Sequence, residues 1–464
     1  MSTAEHFDAI VIGAGQSGGP LASALAEAGK RAAIIEREHF GGTCVNVGCT
    51  PTKTMIASGR VAYLARRGAD YGVGTGPITI DQATVKRRKD EVVDSFRSGS
   101  ESSVRETKGL DVIDGQARFT GPHDVTVTLT GGGERRLSAD QFFINTGERP
   151  TIPPIDGIDT VPFLTSSTVL DLDETPSHLV IIGAGYISLE FGQLFRRLGA
   201  DVTFLVRGQH ILDREDEDIS NTMRDILLED GIGIRFGTQT KRVSPGANGG
   251  ISLELEGRDG ASATLEASHL LVATGRTPNT DDLGLETAGV TMNKRGYIEV
   301  NGRLETNVPG IWALGDVKGG PAFTHISYDD YRIVVANVLK GGNRSTEDRI
   351  VPYTVFTDPQ LGRVGLSEKD ARDKGYNVKI ATMPMSSVAR AIETDETRGL
   401  MKAVIDADTD LILGAAVLGI DGGEVATVIQ VAMMGKLPYT ALRDAVISHP
   451  TVSESLNNLF MTVK

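Results

Sequence analysis

Two stretches of this chain repeat one pattern, and that repetition limits the fold more than any other feature. "FDAIVIGAGQSGGPLASALAEAGKRAAIIE" reads as a buried apolar strand, a glycine turn, an alanine-rich helix stopped by Gly29, and a second strand. "SHLVIIGAGYISLEFGQLFRRLGADVTFLV" repeats strand, glycine turn, helix, Gly199 and strand. The first turn carries Gly13-x-Gly15-x-x-Gly18, the second Gly183-x-Gly185-x-x-Ser188. Glycines at this spacing let the backbone close on a pyrophosphate, and the helix N-terminus offers it amide donors and a positive dipole. Ser188 departs from the third glycine but is small enough for close helix–strand packing. One such turn is a weak signal, whereas two in full βαβ context predict two dinucleotide sites.

The copies differ at the end of the second strand. The first places Glu36 there, and a carboxylate at that point hydrogen-bonds ribose hydroxyls and repels a 2′-phosphate. The second places Val206, followed by Arg207 and later Arg214. Guanidinium groups in place of the acid suit the 2′-phosphate of NADP, which they grip bidentately. The first site is therefore expected to take a dinucleotide without that phosphate. The second is expected to take NADPH in preference to NADH.

A chain of 464 residues is too long for one core. Similar junctions, "NTGERP" and "ATGRTPN", bracket the second βαβ unit and predict a domain inserted into the first. The expected division is 1–148 and 276–347 for the first domain, 149–275 for the insertion, and 348–464 for a C-terminal part. Residues 50–108 read as long helices and 112–145 as hairpins. Gly315 and Asp316 close an apolar strand, and Asp316 is a candidate acceptor for a ligand's polyol. The C-terminal part mixes strands with an apolar helix in "GEVATVIQVAMMGKL", more apolar than a small domain easily covers, as at a subunit interface. The fold class is thus α/β: two Rossmann-like dinucleotide-binding domains, one inserted in the other, plus a C-terminal α+β dimerisation domain. The 55 glycines exceed the usual share of about 7% and fit tight βα turns. A net charge of −14 argues against nucleic acid or anionic membrane as partners. No apolar run reaches the roughly 18 residues of a membrane span, and the N-terminus has no basic n-region of a signal peptide. The expected location is cytoplasmic.

Cys44 and Cys49 are the only cysteines, together in "GGTCVNVGCTPTK". They could be a structural staple, half a metal site, two unrelated thiols or a reactive pair. A reducing cytosol disfavours the staple. A zinc site needs about four ligands where this motif supplies two, so no metal centre is expected. Redox chemistry is the favoured role. Thr50-Pro51 after Cys49 is a helix-start signature, and a thiolate there is stabilised by the helix dipole.

Together these features resemble the pyridine nucleotide–disulfide oxidoreductases, the flavoprotein disulfide reductases that include glutathione reductase, dihydrolipoamide dehydrogenase and mercuric reductase. The resemblance runs from Phe7 to the C-terminal helix. It is most specific in "GGTCVNVGCTPTK", similar to the family's redox-active disulfide motif, and in "ISHPTVSESL", similar to its His-Pro-Thr-x-x-Glu motif. It implies FAD in the first site, with Gly13, Gly15, Gly18, Glu36, Gly42, Thr43, Lys53, Thr146, Gly147, Gly315 and Asp316 around it. It implies NAD(P)H in the second, with Gly183, Gly185, Tyr186, Ser188, Glu190, Arg207, Arg214 and Gly275. By resemblance, Cys49 faces the flavin as the charge-transfer sulfur and Cys44 attacks the substrate. Lys53 would pair with Glu190 near the flavin, and Tyr186 would gate the nicotinamide pocket. His449 and Glu454 would form a base and its orienting carboxylate, reaching the site from the other subunit of a homodimer.

Within the family, "CTPTKTMIA" and "VFTDPQLGRVGLSE" lean towards the mercuric reductases. Those enzymes carry a further C-terminal cysteine pair and lack a histidine at the place of His449. This chain has no cysteine after Cys49 and keeps His449. Val206 counts against dihydrolipoamide dehydrogenase, and Thr50-Pro51-Thr52 is not the usual wording of glutathione reductase. The reading is an NADPH-dependent, FAD-containing disulfide reductase acting on a small-molecule or protein disulfide. A metal-ion or quinone reductase, a dihydrolipoamide dehydrogenase and a low-turnover flavin redox sensor remain as alternatives.

Overall fold

The computed structural model of the protein describes residues 4–464. The chain separates into two compact units: 1–54, 86–151 and 275–349 in the first, 55–85, 152–274 and 350–464 in the second.

The first unit opens with β1 (Glu5–Ile12), α1 (Gly18–Glu27) and β2 (Ala32–Glu36). Next come α2 (Gly42–Asn46) and α3 (Cys49–Arg66), the latter continuing past the unit's edge at Thr54, and α4 (Gln82–Arg105), which enters from residue 86. Three strands follow, β3 (Leu110–Gly121), β4 (Asp124–Leu129) and β5 (Glu134–Ile144). β1 lies between β2 and β5 with parallel pairing on both sides. The short strand Ile311–Ala313 extends the parallel sheet beyond β5. β3 pairs β2 through its first half and then bends into an antiparallel meander with β4 and β5. A strand buried on both faces must be apolar along its length, and Ala9, Ile10, Val11 and Ile12 of β1 are all nearly inaccessible. Phe7, Phe119, Phe142 and Ile144 pack on one side of this sheet, and Leu21, Leu25 and Phe143 on the other. A further short strand, β6 (Glu148–Pro150), pairs antiparallel with Arg276–Pro278.

The second unit holds β7 (His178–Ile182), α5 (Tyr186–Leu198), β8 (Asp201–Val206), α6 (Glu217–Glu229) and β9 (Gly233–Phe236). Its four-stranded sheet, in the order His269–Val272, β7, β8 and β9, is parallel throughout. A three-stranded antiparallel meander covers 238–267. Residues 352–419 build a five-stranded antiparallel sheet, on which the apolar helix Gly422–Met434 buries Val425, Ile429 and Ala432. No helix among the described residues is long and apolar enough to cross a membrane.

Candidate active site

The first glycine turn is a cradle whose dimensions exclude side chains. A Cβ on Gly18 would stand 1.9 Å from the Gly13 carbonyl oxygen. One on Gly13, where φ is +99°, would stand 2.4 Å from the carbonyl of Asn145. Gly42 approaches so closely that its Cβ would lie 2.8 Å from the Gly15 Cα. Asn145, buried at the end of β5, braces the turn from below. Its amide nitrogen contacts the Gly13 carbonyl at 3.4 Å, and its Oδ1 accepts the Ser17 hydroxyl at 2.6 Å. Ser327 completes the chain by donating to Ser17 at 3.0 Å. None of Asn145, Ser17 and Ser327 was singled out from the sequence.

Glu36 stands at the end of β2 with one oxygen accepting the Ala14 amide at 2.7 Å and the other the Glu38 amide at 2.8 Å. Its carboxylate is thus fixed beside the turn. Thr146 and Asn279 exchange hydrogen bonds of 2.8 Å, and the Asn279 amide donates to the Gly147 carbonyl at 2.9 Å. Gly315, with φ +69°, donates its amide to the buried carboxylate of Asp330 at 2.9 Å, which Lys318 and Arg349 neutralise. That clamp sets the direction of the neighbouring Asp316. Desolvation, and after it the nearby Glu148 carboxylate, pushes Asp316 up to about 6. Glu148 itself receives the Tyr297 hydroxyl at 2.6 Å and Arg276 at 3.1 Å. A cradle without side chains, a fixed carboxylate beside it and a second carboxylate with no side-chain hydrogen bond among the described residues suit a flavin dinucleotide.

Cys44 sits on the five-residue helix α2 and Cys49 opens α3. Gly48 permits the tight step between them, since its Cβ would lie 2.8 Å from the Thr43 carbonyl. Arg97 of α4 holds α2 through Asn46 at 2.6 Å. The two sulfurs lie within hydrogen-bond reach of each other. Thr324, first residue of the helix Thr324–Val334, places its hydroxyl 3.3 Å from the Cys49 sulfur. The Cys44 thiol is held well above its ordinary range, chiefly by the hydrogen bond to Cys49, then by burial and by charge on Cys49. The Thr324 hydroxyl and the charge of Lys53 act in the opposite direction. Pro51 falls in the first turn of α3, where its missing N–H is harmless.

In the second unit, a Cβ on Gly183 would meet the Ala273 carbonyl at 2.3 Å, whereas one on Gly185 would meet nothing within 4 Å. Ser188 is fully buried, and its hydroxyl has no hydrogen-bond partner among the described residues. Tyr186 begins α5 at the turn, half-buried. Arg207 and Arg214 are exposed, on the loop after β8. Glu190 is buried and accepts the Phe356 amide at 2.9 Å. Gly275 belongs to the first unit, where its carbonyl accepts the Thr151 amide at 3.0 Å. His449 and Glu454 do meet: Nδ1 lies 2.8 Å from one carboxylate oxygen and 3.0 Å from the other, and the imidazole is exposed.

The family of pyridine nucleotide-disulphide oxidoreductases matches residues 7–330, and its dimerisation domain matches 351–460. The chain belongs to this family. It is 40% identical over 462 residues to the probable pyridine nucleotide-disulfide oxidoreductase RclA of Escherichia coli K12, covering 99% of both chains. It is 34% identical over 458 residues to a mercuric reductase of Lysinibacillus sphaericus, covering 99% of this chain and 83% of that one. A solved Cu(II) complex of the HOCl-induced flavoprotein disulfide reductase RclA from E. coli superimposes with a TM-score of 0.89 at 39% identity, covering 100% of both chains. Members of this family are flavin-dependent and use a pyridine nucleotide, and the mixed α/β architecture of this oxidoreductase is the family's own.

Proposed function

We propose that the protein is an FAD-dependent NADPH:disulfide oxidoreductase whose acceptor is a small-molecule or protein disulfide. The observation that carries this reading is the thiol pair Cys44–Cys49 at a helix start, with the Thr324 hydroxyl against the inner sulfur. FAD would be held by Gly13, Gly15, Gly18, Glu36, Gly42, Thr43, Thr146, Gly147, Gly315 and Asp316, with Lys53 beside it, in residues 1–148 and 276–347. When bound, it supplies the two-electron relay between a nicotinamide and the sulfurs. NADPH would lie on Gly183, Gly185, Tyr186, Ser188, Glu190 and Gly275, with Arg207 and Arg214 on its 2′-phosphate, largely in residues 149–275. Residues 348–464 would form the interface of a homodimer, and the cytoplasm is the expected location.

The raised affinity of Cys44 for its proton assigns work to the dyad. A thiol is a poor nucleophile until it is deprotonated, and Cys44 gives its proton up reluctantly. His449, oriented by Glu454, supplies the base from the partner subunit. The Cys44 thiolate then attacks one sulfur of the substrate disulfide, forming a mixed disulfide and expelling a thiolate, which His449 protonates. Cys49, as a thiolate, attacks Cys44 and expels the second product as a thiolate, which takes its proton from solvent. Two electrons leave the pair, and the Cys44–Cys49 disulfide forms.

A second reading follows from the Cu(II) complex of the E. coli relative. The same dithiol can give one electron to each of two Cu(II) ions, becoming a disulfide as two Cu(I) leave. Among the described residues no group of three or more His, Cys, Asp or Glu side chains is placed to hold a metal. One experiment separates the readings: anaerobic reduction by NADPH, then reoxidation with disulfides or Cu(II), in wild type and His449→Ala. Disulfide turnover should fall about 100- to 10,000-fold in the variant, with flavin reduction unchanged. Disulfides failing to reoxidise a fully reduced wild-type enzyme would refute the first reading.

A further inference from the structure

The loop between β8 and α6, residues 207–216, is fixed at three points. The Leu212 amide donates to the Ala184 carbonyl, inside the second glycine turn, at 3.0 Å. Leu212 adopts φ 48°, a left-handed conformation that a leucine keeps only when its surroundings impose it. Beside it, the carbonyl of the fully buried Ile211 accepts the Ser220 hydroxyl at 2.7 Å. The third point is Glu215. Its carboxylate, almost inaccessible, accepts the hydroxyl of Tyr353, from the five-stranded sheet, on one oxygen. The other oxygen faces the buried Arg363 at 3.7 Å. The Tyr353 phenol is held far above its ordinary range, by burial and then by the Glu215 charge, so it stays a donor. Arg214, the residue before Glu215, is close enough for its charge to act on that phenol. The next residue, Asp216, accepts the amides of Glu368 and Lys369 and pairs with Lys402.

A surface arginine ordinarily loses side-chain and loop freedom when it grips a phosphate. Here the backbone carrying Arg214 is already tied to the glycine turn on one side and to a sheet on the other. We propose that Glu215 and Tyr353 are positioning residues for nucleotide choice: they fix the 207–216 loop, and with it Arg207 and Arg214, where a 2′-phosphate beside the glycine turn is met. They touch no nucleotide themselves. This rests on the reading that the second site takes NADPH.

The test measures binding of 2′,5′-ADP and 5′-AMP to the flavin-loaded protein by calorimetry. Tyr353→Phe should weaken 2′,5′-ADP about tenfold, the scale of one hydrogen bond to a charged group, and leave 5′-AMP within about twofold of wild type. Glu215→Gln, which keeps the size and loses the charge, should shift the ratio the same way by less. It decides alone if Tyr353→Phe does not fold. A merely structural role would weaken both ligands together. Arg207→Ala and Arg214→Ala mark the underlying reading. If neither changes the 2′,5′-ADP to 5′-AMP ratio, the NADPH reading fails and the proposal with it. If they change it and the folded Tyr353 and Glu215 variants keep the wild-type ratio, the positioning role alone is overturned.

Discussion

Replacing Gly18 by alanine tests the flavin cradle most directly. The added Cβ would stand 1.9 Å from the Gly13 oxygen and 2.7 Å from the Asn145 amide nitrogen, while ordinary contact begins at 3.4 Å. Between 1.9 and 3.4 Å lies a retreat of about 1.5 Å that the Gly13 carbonyl would have to make. Gly13 is not free to move, because its amide donates to the Ile35 carbonyl at 2.8 Å and the adjacent Ile12 carbonyl receives the Asn145 amide at 2.8 Å. Overpacking of this kind costs about 1–3 kcal/mol, or roughly 5- to 150-fold in flavin retention if it falls on the bound state. Gly185→Ala is the control, since nothing lies within 4 Å of its Cβ and its φ of −80° suits alanine. That variant should keep its flavin and its melting temperature, and raise only the KM for the pyridine nucleotide. The assay is flavin released on dilution, read by fluorescence against total protein. Unchanged flavin retention in Gly18→Ala, or loss of flavin from Gly185→Ala, would refute the reasoning.

Two further outcomes follow from the ionisable groups. Cys49→Ala removes the main cause of Cys44's retained proton, so iodoacetamide should alkylate Cys44 faster in the variant than in the reduced wild type near pH 8. Equal rates by mass spectrometry would contradict that cause. Asp316 titrates in the folded protein above its usual carboxylate value, so folding favours its neutral form. The stability this lends is complete below pH 3.8 and is lost as pH rises through about 6. Flavin-free Asp316→Asn should therefore melt above wild type at pH 8, with the gap closing towards pH 4. A gap that widens on acidification would refute the assignment.

What the sequence discloses is what the chain does locally. A strand, a glycine turn and a helix lie within about thirty residues in each βαβ unit, so their physical logic is readable in order. The same holds for Cys49 before Thr50-Pro51, and for His449 five residues before Glu454. The braces are a different matter. Asn145 supports the first glycine turn from 128 residues away from Ser17, and Thr324 reaches Cys49 across 275. Only tertiary folding brings such pairs together, and a lone Asn after an apolar strand or a Thr at a helix start carries no pattern of its own. Tyr353 and Glu215, 138 residues apart, are hidden for the same reason. Ser188 shows a subtler limit. Its small size was legible, but its hydroxyl is buried without a partner among the described residues, a property of the space around it.

The reluctance of Cys44 to lose its proton has a consequence for survival as well as for turnover. Oxidants such as peroxides react with sulfur largely in its anionic form, and the route from sulfenic to sulfinic acid is a one-way loss of the site. A neutral outer thiol is slow to enter that route. If its partner is oxidised first, the neighbouring sulfur stands within hydrogen-bond reach to condense with it into a disulfide, a form that fresh reducing equivalents reopen. Under the proposed mechanism, the arrangement that makes the first sulfur wait for a base would also slow irreversible oxidation of the pair.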